Sequence, residues 1–323
     1  MKSCALKDYK WIAFKKYIVS AARDSQLRYR SIILWGLFIG IILLGAVYVI
    51  QSITGNSNTS VLNFSGLSIV GKIILGLATL LLILHSVWTL GVFGGTSLVA
   101  LGFTAGLVSE IVGVNYAEIF GGHYFYNIAI HPRILDVPLL IPLIWAGFIY
   151  AGYSIVSSFS IWLNRGGFGT TQRRMTHKVP FAALGALIVM AIDLIMEPLQ
   201  VAAGNWRWLE GGRYFGIPAG NFSGWFLVAF ISTLIFVILQ EHLPRHRGDT
   251  DEHVLLIPVI GYGLLCVIFI LWAFNIGMSS LAFVGFITMS PTVAVNLALF
   301  LRWRTLARRT EAQPVMPNRC VII

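Results

Sequence analysis

The stretch "VPFAALGALIVMAIDLIMEPL", residues 179–199, decides the fold. An uncharged apolar run of about 20 residues is what a helix needs to cross the hydrocarbon of a bilayer. This one is interrupted only by Asp193 and Glu197. The two acids are four apart, so a helix presents them on one face. An ionisable group at the centre of a spanning helix costs about 2.5–3.5 kcal/mol on insertion scales. Two of them in one span therefore point to a role inside a helix bundle.

The rest of the chain agrees with a membrane setting. Of 323 residues, 57% are hydrophobic and 11% charged, against about 25% charged in an ordinary soluble domain. Mean hydropathy is +0.80. Apolar runs fall at 31–51, 67–90, 93–114, 137–163, 179–199, 222–241, 254–276 and 279–301. The expected fold is an all-α polytopic membrane protein of about eight transmembrane helices, or seven if the closely spaced last two are one. The fourth run is long enough to tilt.

The positive charge sets the orientation. The two tails and the loops that follow even-numbered spans hold 19 of the 23 Lys and Arg, and the opposite loops hold Arg133, Arg207 and Arg213. Basic loops stay cytoplasmic, so both termini are expected inside, with anionic lipid as a partner of the basic segments. The net charge of +10 thus reports topology, and nucleic-acid binding is excluded as its reading. The first apolar run starts too late and is too long for a signal peptide. Trp11, Phe14 and Ile18 among lysines suggest an interfacial helix. Cys4, Cys266 and Cys320 are scattered, so no disulfide is expected, and the terminal "CVII" is a weak match to a lipidation box. The "GGFG" of the 164–178 loop follows no strand, so it is not a phosphate loop. His242, His246 and His253 lie in a polar connector without an evident supporting shell for a metal.

Two long loops on the non-cytoplasmic side resemble each other. One runs "SEIVGVNYAEIFGGHYFYN" into "DVPLLIPLIW"; the other is "MEPLQVAAGNWRWLEGGRYFGIPAGNFSGW". Both begin with an acid at a span's outer end, Glu110 and Glu197, and both carry Gly-Gly-x-Tyr, at 121–124 and 211–214. Both then place a Trp seven residues after a Pro, as Pro138 to Trp145 and Pro218 to Trp225. Spans 3–4 and 5–6 therefore read as two parallel copies of one unit. At 1.5 Å per residue, Glu110 and Asp193 lie roughly 26 and 21 Å from the cytoplasmic side, close to one level. The two loops would cover them.

Plainer readings compete. Glu197 could pair with Arg207 or Arg213 and merely hold a loop. Trp206, Trp208, Trp225, Tyr124, Tyr126 and Tyr214 could be an ordinary interfacial belt, instead of a wall that faces a cation. Gly36/Gly40 and Gly102/Gly106 suggest close helix packing. His85 and Lys72 suggest local polar contacts or snorkelling. Asp193 is far in sequence from any Arg and is the better proton donor; Glu197, before Pro198, is the better ionised partner. His123 stands out because it lies inside the first Gly-Gly-x-Tyr.

Taken in order, "SEIVGVNYAEIFGGHYFYN…DVPLLIPLIW" and "DLIMEPLQ…W…GGRYFGIPAGNFSGW" resemble the membrane carotenoid hydratases, the family of the bacterial gamma-carotene and archaeal bisanhydrobacterioruberin hydratases. The resemblance covers about residues 100–230. Elsewhere it is one of hydropathy. That family usually has Asp-Pro where this chain has Glu197-Pro198, a carboxyl reaching one methylene further. The resemblance implies that water adds to the terminal double bond of an acyclic or monocyclic carotenoid, without a cofactor. Asp193 would be the general acid, with Glu110 as alternate. Glu110 and Glu197 would stabilise the tertiary cation and orient water. Tyr124, Trp145, Tyr214 and Trp225 would line the end-group pocket, and His123 or Asn221 would place the water. The implied organisation is a basic segment 1–30, one transmembrane domain 31–301 with its catalytic region near 100–230, and a basic tail 302–323. The expected location is a prokaryotic cytoplasmic membrane. Two other classes stay open: a non-flavin carotenoid cyclase using the same acid chemistry, and a transporter or lipid-binding protein.

Overall fold

The computed structural model describes residues 24–48, 64, 67–116, 119–164, 177–244 and 251–311. Residues 1–23, with the expected interfacial helix and Cys4, lie outside them, as do His246, the "GGFG" loop and Cys320. Seven helices are long and apolar enough to span a membrane. They are α1 (Asp24–Tyr48), α2 (Ile69–Tyr116), α3 (Leu140–Leu163), α4 (Lys178–Ala202), α5 (Ala219–Leu239), α6 (Leu256–Asn275) and α7 (Ser279–Glu311). The all-α polytopic class is confirmed.

Helix α2 is two rods. Its 48 residues would extend roughly 72 Å if straight, more than twice the hydrocarbon thickness. Gly91, at φ 80° and ψ 164°, breaks it. The chain then turns back, because a Cβ on Gly95 would sit 2.5 Å from the Ser86 carbonyl carbon, whereas nine residues along a straight helix separate atoms by about 13 Å. The arms 69–90 and 92–116 are the second and third expected spans, so eight rods are present among the described residues. The last two runs are likewise distinct, separated at Gly277. The fourth run begins later than expected, since Val137–Pro138 belongs to a short strand.

Two paired units make the centre. The arm 92–116 packs on α3 where a Cβ on Gly102 would lie 3.0 Å from the Ala146 Cα, and α3 meets α4 where one on Gly152 would lie 2.7 Å from the Gly185 carbonyl. Small residues let these backbones touch. Gly36 and Gly40 do not serve that purpose. Among the described residues nothing lies within 4 Å of a Cβ built there, so the expectation of close packing holds for the second glycine pair and fails for the first. Helices α6 and α7 cover α3 and α4 from one side. Helix α5 instead turns Leu227, Ile231, Ile235 and Ile238 outward, an apolar stripe that a bilayer would solvate.

The two long loops meet in a ribbon. Strand β1 (Tyr124–Tyr126) pairs antiparallel with β4 (Trp206–Trp208), in register Tyr124↔Trp208, Phe125↔Arg207 and Tyr126↔Trp206. A smaller hairpin joins β2 (Arg133–Ile134) and β3 (Val137–Pro138). Successive strand residues point to opposite faces. Phe125 and Arg207 are exposed, while Tyr124, Tyr126 and Trp206 are buried and Trp208 is half-buried. The ribbon's base rests on fully buried Asn205, whose Nδ2 donates to Gln200 Oε1 at 2.5 Å and whose Oδ1 accepts from Phe64 N at 2.8 Å. At the opposite end of the bundle, His85 is held by Tyr150 Oη at 2.5 Å and the Val254 carbonyl at 2.9 Å. It is a local polar contact, as its sequence setting suggests.

Candidate functional site

Three buried carboxyls lie under the ribbon. Glu110 sits near the end of the arm 92–116. It accepts from Tyr124 Oη at 2.7 Å, Tyr126 Oη at 2.5 Å and Trp145 Nε1 at 2.8 Å. Glu197 sits near the end of α4. Its Oε1 accepts from the indole N–H of both Trp206 and Trp208 at 2.7 Å. Each strand thus supplies two donors, at alternating positions, to the carboxyl of its own unit. Glu197 is bound by indoles, and neither Arg207 nor Arg213 is its partner among the contacts seen. The six aromatic residues are not a plain interfacial belt either, since four of them bind these two acids.

Asp193 lies one turn before Glu197 on α4 and is fully buried. Its Oδ2 accepts from Asn221 Nδ2 at 2.6 Å. Its Oδ1 has no hydrogen-bond partner among the described residues. A buried acceptor without a partner loses free energy of order 1–3 kcal/mol, whereas a protonated oxygen there has a hydrogen to offer.

These groups surround a small cavity of about 20 Å³. Glu110 and Glu197 line it, under the ribbon's Tyr124, Tyr126, Trp206 and Trp208. Asn221, Trp225 and Phe120 complete the wall. Asp193 stands behind Asn221. Trp225 closes the cavity on one side and stacks on the fully buried Trp145 behind, with centroids 3.7 Å apart and planes at 15°.

The stack shows how the two units correspond. Trp145 and Trp225 hold equivalent places in the Pro-to-Trp spacing and face each other across the bundle. Glu110 and Glu197 are likewise equivalent. Counting back four residues from each carboxyl gives Gly106 in the first unit and Asp193 in the second. Counting back four from each Trp gives Ile141 and Asn221. A Cβ on Gly106 would sit 2.5 Å from the Trp145 side chain, so the indole fills the space that an acid there would need. The Asp193–Asn221 pair thus belongs to one unit alone.

Other sequence expectations are placed differently. The Gly-Gly-x-Tyr elements are not equivalent in space. Tyr124 reaches Glu110, but Tyr214 Oη donates to the Leu194 carbonyl at 2.8 Å. The reason is Pro198. Lacking an N–H, it leaves the carbonyl four residues earlier without its helical donor, and Tyr214 supplies one. Burial, with Asp193 nearby, pushes the Tyr214 hydroxyl up to about 12. Burial and then the Glu110 charge hold the Tyr124 and Tyr126 hydroxyls well above the phenol range, so both remain donors.

His123 is turned away from the cavity. It is half exposed, and its Nδ1 lies 2.9 Å from Glu210 Oε1 while its backbone N–H donates to Glu210 Oε2 at 2.7 Å. That grip holds the Glu210 carboxyl below its ordinary range. Sequence reasoning missed Glu210, Phe120 and Met196. It also missed the strand that makes Trp206 and Trp208 a pair, though the i, i+2 spacing of "WRW" carried that signal. His242 and His253 join no group of three metal-ligand side chains among the described residues.

Comparison with known proteins bears on the chemistry. The profile of a family described as carotenoid biosynthesis protein matches residues 69–304. A protein named bisanhydrobacterioruberin hydratase, from Haloarcula japonica, is 29% identical over 173 residues, covering 53% of this chain and 54% of that protein. The chain therefore spans about half the length of this curated relative. No solved structure matches it.

Proposed function

Since this chain belongs to the carotenoid biosynthesis protein family, we propose that it adds water to the terminal double bond of an acyclic carotenoid end. It is an integral membrane protein. The proposed setting is a prokaryotic cytoplasmic membrane, with both termini inside and the ribbon at the outer face. The observation that carries this reading is the cavity itself: two carboxyls and an aromatic wall enclose it, with a third carboxyl held behind one amide.

Hydration of an isolated alkene begins with a proton. Asp193, with Oδ1 unpartnered, delivers it to the CH carbon of the terminal double bond, and a tertiary cation forms on the outer carbon, which carries two methyl groups. The donor-only indole of Trp145 and two phenol hydroxyls converge on Glu110, an environment able to hold a carboxylate. Glu110 and Glu197 therefore face the cation as counter-charges, and the Trp225 and Tyr124 rings add cation–π attraction of about 0.5–2 kcal/mol each. Asn221, whose amide N–H holds Asp193, presents its carbonyl oxygen to the incoming water. The water oxygen bonds to the cationic carbon. Its spare proton passes to a carboxylate, and Asp193 is reprotonated. Atoms balance as one water added, and the chemistry calls on side chains alone.

Fixed donors aimed at developing charge, in a site closed to bulk water, are an effective form of catalysis. The Tyr and Trp donors act on the carboxylates, so the anions stay in place while charge appears and vanishes beside them.

The test is product mass. The chain is expressed in a host that makes an acyclic carotene, and the pigments are separated and weighed. A gain of one water per reacted end is expected. An isomer of unchanged mass would mean that a neighbouring double bond captures the cation, as in a cyclase. An unaltered pigment pool across acyclic and monocyclic substrates would remove the enzymatic reading in favour of transport or binding.

A further inference from the structure

A carotenoid is about as long as a bilayer is thick. The cavity is small, about 20 Å³, room for water and far below the volume of a pocket that buries a small ligand. An end group therefore enters it only where a side chain gives way, and the remaining polyene lies outside. Given the hydration reading, the tail must leave the site between two helices.

The two units offer two equivalent seams. One runs between α3 and α4. It is pinched where Gly152 meets Gly185, and α6 and α7 lie across it. A Cβ on Gly285 of α7 would fall 2.2 Å from Ile195 Cδ1 of α4, and Leu281, Ala282 and Met289 are buried there. That seam is closed by protein.

The other seam runs between the arm 92–116 and α5. Helix α5 packs mainly against α4 and α2, and Val108 of the arm and Leu227 of α5 are exposed. Its upper end is closed by the backbone of the 119–121 segment, which meets α5 at Gly220 and Gly224, and by one side chain within that segment. Phe120 is 1% exposed and lines the cavity. It occupies a slot made by two glycines, since a Cβ on Gly113 would lie 2.5 Å from its Cδ2 and one on Gly224 would lie 2.6 Å from its Cδ1. Ile144 holds the position in α3 that Gly224 holds in α5, one residue before each stacked Trp. The slot therefore exists on the lipid-facing seam and not on the covered one.

We propose that the polyene enters and lies in the seam between the arm 92–116 and α5, with the Phe120 ring as the gate between cavity and bilayer. Phe120 swings out of the glycine slot, and the apolar chain takes its place. The residue determines specificity for a long, thin polyene tail. It makes no contact with the reacting bond.

The experiment uses the full chain in membranes, with Phe120→Ala and Phe120→Trp variants and two substrates: an acyclic C40 polyene, and a C10 isoprenoid too short to occupy the seam. Phe120→Trp should lower kcat/KM for the polyene at least tenfold and that for the short compound less than twofold. Phe120→Ala should raise turnover of bulkier tails relative to that of the polyene. Equal losses on both substrates would overturn the gate. Where a variant is lost from the membrane, Val108→Trp and Leu227→Trp, on the exposed faces of the two helices that form the seam, give the same comparison, with Val284→Trp on α7 as the control. Polyene retained by the purified protein, read by its absorbance, tests the path independently of turnover. Weaker retention in the seam variants without any hydrated product in the unsubstituted protein would uphold the path and sink the hydration reading. Hydrated product with unchanged retention and unchanged length dependence would do the reverse.

Discussion

Trp145 and Trp225 stack face to face at 3.7 Å, each from the equivalent helix of its own unit. Aromatic pairs contribute roughly 0.5–1.5 kcal/mol beyond the area they bury. Here Trp145 also backs the cavity-lining Trp225 and aims its own N–H at Glu110. Trp145→Phe keeps an aromatic stack and removes that N–H. Turnover should fall about tenfold or more, with the helices still folded by circular dichroism. A variant as active as the parent would remove Trp145 from the site.

Asp193→Asn is isosteric and keeps a partner for Asn221. General acid catalysis contributes typically 10²–10⁴-fold, so product formation should drop by that order while membrane expression stays level. Retained activity would sink the assignment and pass the acid role to Glu197, the cavity-lining neighbour one turn away.

Trp206 and Trp208 donate to the same oxygen of Glu197. Hydrogen bonds to a charged group are worth about 1.5–3 kcal/mol each. Trp206→Phe and Trp208→Phe should each lower activity, and the double variant should depart from additivity, because the second loss leaves the carboxyl without an indole donor. A double-mutant cycle on kcat/KM measures this. Strict additivity would mean that the two indoles act on separate features.

Gly106→Ala should destabilise the protein by about 1–3 kcal/mol, the usual range for overpacking a filled core, since the new methyl would meet the Trp145 side chain at 2.5 Å. Thermal unfolding in detergent reads it. Combining it with Trp145→Ala should recover part of the loss, and failure to do so would place the strain elsewhere.

The Glu210–His123 contact lies at the aqueous end of the ribbon. Hydrogen bonds from His123 lower the Glu210 pKa in the folded state. A carboxyl of this kind adds stability that is fully present above its unfolded value and is lost as pH falls through its folded one. Melting temperatures of the parent and Glu210→Gln should therefore differ at neutral pH and converge on acidification below the ordinary Glu range. Curves that stay parallel to low pH would mean that the contact is not linked to folding.

The sequence alone determined the class of the fold. Eight apolar runs of bilayer length and a charge bias between alternate loops leave few architectures, because in hydrocarbon every backbone polar group needs a partner and helices provide them locally. The break at Gly91 was legible for the same reason, as a gap between runs, whereas the short gap between α6 and α7 left seven or eight spans open. The three carboxyls were legible, since an acid in an apolar span stands out by its cost. So was the equivalence of Trp145 and Trp225, through a spacing repeated in two loops, though not that the two stack.

What only the tertiary structure decided depends on contacts between residues far apart in the chain. The Gly-Gly-x-Tyr elements match in letters, yet Tyr214 is claimed by a carbonyl that Pro198 leaves without a donor. His123 looked like a site residue from its neighbours in sequence, but strand alternation sends its side chain outward to Glu210. Phe120 carried no signal, because a phenylalanine in an apolar segment is ordinary. Its place between Gly113 and Gly224 arises only when α2 and α5 come together. Periodicity reports which residues share a face; which faces then meet is settled by packing between the units, and the asymmetry of the site follows from the Trp145 indole filling the space opposite Asp193.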